Sequence, residues 1–145
     1  MGGFVRNAWY PAAWSREVGT GVEARRILGE PICLWRGQSG KVFALDDACP
    51  HRLSPLSCGK VKGDAVECGY HGMTFDGAGK CIRIPGQESI PQRAHVRAYP
   101  IVERYGLAWI WMGDPAAVDP ALLYEIPDYG APEYDVLEGD ALAIN

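Results

Sequence analysis

An all-β domain, an antiparallel sandwich or barrel, is the fold class this sequence predicts. Apolar residues recur with period two, in short runs, and turn residues rich in glycine fall between the runs. Strands do not alternate with helix-length segments, which argues against a βαβ architecture. At 145 residues and 48% hydrophobic content the chain has material for one ordinary core and too little for two.

The elements follow in order. "VEARRIL" (22–28), "ICLWR" (32–36) and "VFALD" (42–46) are strand-like, and Gly37-Gln38-Ser39-Gly40 between the last two predicts a β-hairpin. "AVEC" (65–68), "MTFD" (73–76) and "KCIRI" (80–84) read as further strands, with Asp76-Gly77-Ala78-Gly79 as a tight turn. "HVRAYPIVER" (95–104) and "LAWIWM" (107–112) complete the set, joined at Tyr105-Gly106. Beyond Met112 the texture changes, because Pro115, Pro120, Pro127 and Pro132 break any strand. One helical turn is expected at Pro120 to Tyr124, where proline suits the first position. The sequence thus divides into a domain at 1–115 and, at 116–145, a linker with the start of a second, absent domain. The final "VLEGDALAIN" (136–145) looks like a strand cut in mid-pattern.

Charge and cysteine content narrow the class. The formal charge is -4 and no block of Lys or Arg occurs, so neither nucleic acid nor an anionic membrane is the expected partner. An acidic partner stays open, because charge can be local. Arg6 and Pro11 interrupt what would have to be the apolar core of a signal peptide, and no run approaches the roughly 20 apolar residues of a membrane span. Five cysteines at irregular spacing do not form a secreted disulfide framework. A cytoplasmic protein whose cysteines bind metal fits better.

Two segments carry the chemistry. "ACPHRLSP" holds Cys49-x-His51, and sixteen residues later "ECGYHGMTF" holds Cys68-x-x-His71. Two thiolates and two imidazoles on two loops can hold iron or zinc. Structural zinc commonly pairs like with like along the chain, whereas each loop here offers one Cys and one His. A Rieske cluster places two cysteines on one iron and two histidines on the other, so each loop gives one ligand to each iron. A structural zinc module for protein contacts is the alternative. Gly69, Gly72 and Pro50 beside the ligands would let backbone N–H groups approach a cluster without obstruction.

"CPHR" and "CGYHG", with "FVRNAWY" at 4–10 and "VERYGLAWIWMGDP" at 102–115, resemble the N-terminal Rieske domain of Rieske non-haem iron oxygenases, in the group of vanillate O-demethylase and dicamba monooxygenase oxygenase components. The resemblance implies a Rieske-type fold in which two loops form a cluster-binding subdomain. Cys49 and Cys68 would bind one iron of a [2Fe-2S] cluster, and His51 and His71 the other. It implies a flavin- or ferredoxin-type reductase as electron donor. The acceptor would be a mononuclear Fe(II) site in a catalytic domain or neighbouring subunit, with a homotrimer as the full-length assembly. Only His95 lies outside the cluster motifs, so no two-His iron triad can be built from this chain. No catalytic residue is therefore assigned, and the expected role is electron transfer for a monooxygenase or dioxygenase of aromatic catabolism. A free-standing Rieske ferredoxin is a further alternative. Respiratory Rieske proteins carry an extra cysteine in each loop, where this chain has Ser54 and Tyr70, and a serine where it has Met73. Fewer donors to the cluster predict a potential near the low end of the Rieske range, about -150 mV.

The remaining conspicuous residues have plain readings. Cys33 and Cys81 fit strands, Cys58 a variable loop position, His95 the surface or an interface, and Trp109 with Trp111 a shared packing face. Arg52 is either a solvated charge or a partner for a carboxylate. "GQSGK" lacks the glycine spacing of a phosphate loop.

Overall fold

The computed structural model describes residues 3–137 and Gly139. Ten strands and four short 3-10 turns are present among these residues, with no α-helix: β1 (Ala8–Trp14), β2 (Glu23–Ile27), β3 (Glu30–Arg36), β4 (Val42–Asp46), β5 (Lys60–Lys62), β6 (Ala65–Glu67), β7 (Thr74–Phe75), β8 (Cys81–Arg83), β9 (Ile101–Arg104) and β10 (Leu107–Met112). They form three antiparallel sheets, ordered β1-β10-β9, β2-β3-β4 and β5-β6-β7-β8. The all-β expectation holds: two three-stranded sheets form a base, and a four-stranded sheet of shorter strands stands beside them.

β3 explains how the base holds together. Ile32, Cys33, Leu34 and Trp35 are all fully buried, so this strand has core on both faces. Ile32 and Leu34 pack with Val42, Ala44, Ile110 and Met112 between the two base sheets. Cys33 and Trp35 point the other way, into a second core with Leu45, Leu56, Val66, Phe75 and Val96 beneath the projecting loops. Period two is thus read out on both sides of one strand. Cys33 sits in that interior as a small apolar residue, and burial pushes its thiol up to about 12.

The predicted hairpin of β3 and β4 pairs Trp35 with Phe43 and Arg36 with Val42 across Gly37–Gly40. The β9–β10 turn at Tyr105-Gly106 has positive φ at both residues, 58° and 71°, the backbone a two-residue hairpin turn requires. Pro120–Leu122 forms the expected short turn with proline at its start, as a 3-10 helix, and Asp119 caps it by accepting from the Ala121 N–H.

Three expectations need correction. β1 and β5 have no alternating signal in the sequence and are not among the predicted strands. β1 contains Pro11 and a bulge between Pro11 and Ala13, which breaks its alternation, and β5 is only Lys-Val-Lys. The predicted strand over 95–104 begins only at Ile101. Residues 94–100 instead stitch the sheets together: Val96 N–H donates to Gly79, Asp46 N–H to Arg97, Tyr99 N–H to Ala44 and Trp111 N–H to Pro100. In the segment 116–137, Leu123 is buried against Trp9 and Trp111, and the Trp9 indole N–H donates to the Asp119 carbonyl at 2.9 Å. Val136, Leu137 and Gly139 are not in a strand. Residue 138 and residues 140–145, on which the rest of the proposed terminal strand falls, lie outside the described residues.

Candidate metal centre

Two loops carry the four residues, one leading from β4 into β5 and one between β6 and β7. The first is folded on itself: Cys49 N–H donates to the Ser54 carbonyl at 2.8 Å, and Leu53 N–H donates back to the Cys49 carbonyl at 2.7 Å. The Asp47 carboxylate braces its far end, accepting from the Ser57 N–H at 2.7 Å and the Ser57 hydroxyl at 2.6 Å. Leu56, fully buried, pins the same stretch to the core. Leu53 pays for the turn with a left-handed φ of 58°, a strained conformation for a leucine.

The second loop closes through Cys68 N–H to the Met73 carbonyl at 2.7 Å and Gly72 N–H to the Cys68 carbonyl at 3.0 Å. Gly72 adopts φ +76°, which favours glycine there. Gly69 has a different reason: a Cβ on it would stand 2.8 Å from the Cys58 carbonyl oxygen. Its missing side chain lets the two loops approach backbone to backbone.

Through these contacts the structure brings Cys49, His51, Cys68 and His71 together. The cysteines are each 3% exposed and the histidines are at the surface. Burial pushes the Cys49 thiol up, a hydrogen bond from the His51 backbone opposes the shift, and the adjacent Cys68 sulfur adds to it. On the outer side the Nδ1 atoms of His51 and His71 face each other at 3.2 Å, with the rings at 72°. Two nitrogens, each about 2.0–2.1 Å from one tetrahedral metal, would lie about 3.4 Å apart, so this spacing suits two imidazoles sharing one ion. Among the described residues, no three Cys, His, Asp or Glu side chains gather around a single point. The donors instead separate into a buried sulfur pair and an exposed nitrogen pair. That division fits a two-iron cluster with chemically different ends.

The surroundings include features that spacing could not reveal. The Tyr70 ring lies against His71 at a centroid distance of 3.8 Å, and the Tyr70 and Leu53 side chains are both exposed. The Met73 sulfur touches the Cys49 sulfur at 4.0 Å. Met73 also lines a pocket of about 590 Å³ with Pro50, both histidines, Ile84 and Arg93. Cys81 is buried in the same core, Cys58 is an exposed free thiol, and His95 is exposed. Arg52 is exposed and makes no ion pair among the described residues, which leaves it a solvated charge.

Residues 8–100 match the family model of the Rieske [2Fe-2S] domain. Over 137 residues the chain is 44% identical to the iron-sulfur subunit of a toluene-4-sulfonate monooxygenase system from Comamonas testosteroni, covering 94% of this chain and 40% of that protein. It is 46% identical over 140 residues to the oxygenase component of dicamba O-demethylase from Stenotrophomonas maltophilia, again 94% of this chain and 40% of the relative. The crystal structure of dicamba monooxygenase bound to dicamba superposes with a TM-score of 0.89 at 42% identity, covering 95% of this chain and 44% of that one. The chain therefore spans about 40% of the length of these curated relatives.

Proposed function

Because this chain belongs to the Rieske [2Fe-2S] domain family, we propose that it carries electrons for an oxygenase or O-demethylase acting on aromatic compounds, with the substrate chemistry in another domain. Cys49 and Cys68 hold the inner iron and His51 and His71 the outer one. The observation that carries this assignment is the pairing of two buried sulfurs with two surface nitrogens 3.2 Å apart. When bound, the cluster stores a single electron. The protein's part is to keep its sulfur end dry and to present its imidazole end at the surface.

That exposed end is where an acceptor can approach closely, which supports a mononuclear iron in a catalytic domain or a neighbouring subunit of a homotrimer as the destination. The donor is a flavin- or ferredoxin-type reductase. Residues 1–115 constitute the cluster domain, since the last strand among the described residues ends at Met112, and residues 116–145 are a linker with the start of the catalytic domain. None of the five cysteines is in a disulfide, which suits the reducing cytoplasm as the compartment. Among the described residues no helix is long and apolar enough to cross a membrane.

The test is uptake of electrons from NADH through such a reductase. One electron per chain, with bleaching of a red-brown colour, is expected. A colourless protein that takes up no electrons would overturn the proposal.

A further inference from the structure

The sheet β5-β6-β7-β8 turns Val66 and Phe75 onto the core beneath the ligand loops. Its opposite face forms an open groove of about 690 Å³, lined by Lys62, Glu67, Thr74, Ile82 and Arg83. The strand register explains the composition of this face. Lys60 pairs with Glu67, Glu67 with Thr74 and Thr74 with Arg83, so these four residues form one row across the sheet with a cation at each edge. Glu67 lies 3.4 Å from the Lys60 ammonium and 3.7 Å from the Arg83 guanidinium, yet those side chains remain 66% and 59% exposed. The pairing of Phe75 with Cys81 and of Thr74 with Arg83 leaves Ile82 as the extra residue of a bulge. Bulges re-aim side chains, and Ile82 is 49% exposed in the groove.

The charge here runs against that of the chain. Between Pro50 and His95 stand Arg52, Lys60, Lys62, Lys80, Arg83 and Arg93 against only Asp64, Glu67, Asp76 and Glu88, in a protein of formal charge -4. Three of the four lysines belong to this stretch. The groove also lies close to the site along the chain. Glu67 precedes Cys68, and Thr74 follows Met73, whose sulfur touches that of Cys49.

We propose that this face receives the electron donor, an acidic flavin- or ferredoxin-type domain whose surface carboxylates meet Lys60, Lys62 and Arg83 and whose apolar centre covers Ile82. The inference rests on reading the chain as an electron-transfer domain. An apolar centre within a charged rim provides a contact to bury and a field to steer the approach. The histidine side, with its own pocket, is left for the acceptor, so the two partners need not compete.

The experiment uses the cluster-loaded protein and a pre-reduced plant-type [2Fe-2S] ferredoxin with an acidic surface as probe, mixed by stopped flow. Lys62→Glu combined with Arg83→Gln is expected to lower the second-order rate of cluster reduction about tenfold at low salt. Ile82→Ser should lower it independently of salt. The wild-type rate should fall as ionic strength rises, and reduction by dithionite should be unchanged in every variant, which also reports that the variants are folded and loaded. Arg93→Glu, in the pocket lined by both histidines, should keep the wild-type rate. The proposal is overturned if groove variants reduced normally by dithionite keep the wild-type rate with ferredoxin, or if only Arg93→Glu slows. A wild-type protein that holds no dithionite-reducible cluster would instead overturn the underlying reading and the docking face with it.

Discussion

His51 and His71, twenty residues apart in the chain, meet with their Nδ1 atoms 3.2 Å from each other at the surface. Neither histidine is held there by a strand. Their loops are braced from below, by Asp47 on Ser57 and by the closed turn from Cys68 to Met73. Replacing one nitrogen of this pair with sulfur tests what the pair is for. His71→Cys should lower the midpoint potential from about -150 mV toward the roughly -400 mV of all-cysteine clusters, with two irons retained. An unchanged potential in a loaded variant would count against His71 as an iron ligand.

Gly69 separates cluster assembly from folding. A β-branched side chain there would collide with the Cys58 carbonyl and force the two ligand loops apart. Gly69→Val should lose most of its iron and sulfide while retaining the far-ultraviolet circular dichroism of the wild type. Full iron content in the variant would show that the close approach of the loops is dispensable.

The base of the fold carries an acid-sensitive ion pair. Arg36 donates to both oxygens of Glu103, at 3.0 and 2.6 Å, and ties β3 to β9. Its hydrogen bonds hold the Glu103 carboxyl below the usual range; burial opposes the shift and the Arg36 charge reinforces it. A depressed folded-state pKa contributes stability above the unfolded value of about 4.3, which is lost as pH falls through the folded value. Glu103→Gln should therefore cost about 1 kcal/mol at pH 7 and flatten the acid limb below about pH 4.3. Parallel urea midpoints for both proteins from pH 6 to 3.5 check this, and parallel curves across that range would refute it.

Trp111 anchors the edge where the following segment begins. It is fully buried, its ring meets Trp9 edge-on at 5.4 Å, and its indole N–H donates to the Asp114 carbonyl at 2.9 Å. Trp111→Ala should destabilise the domain by about 3–5 kcal/mol, whereas truncation of the half-buried Trp109 should cost clearly less. Equal losses in thermal unfolding would contradict the burial difference.

Much of this was legible in the chain, for identifiable reasons. The β3–β4 hairpin and β10 announced themselves because apolar runs end at glycine turns. The four candidate ligands emerged because mixed Cys/His pairs at this spacing have few other uses. β1 escaped because Pro11 and its bulge spoil the alternation, and β5 because three residues carry no period. The segment before Ile101 read as strand from its composition, but it satisfies its backbone by bridging three neighbours in turn. Tyr70 against His71, Asp47 beneath Ser57 and Gly69 against Cys58 depend on how two loops meet in space. No spacing rule encodes those contacts.

The most direct test is an EPR spectrum of the anaerobically purified, dithionite-reduced protein, with iron, sulfide and zinc counted on the same sample. A rhombic signal of a mixed His/Cys cluster, with about two irons and two sulfides per chain, is the expected result. A silent spectrum with about one zinc per chain would contradict it, leaving the four donors in place around a different metal.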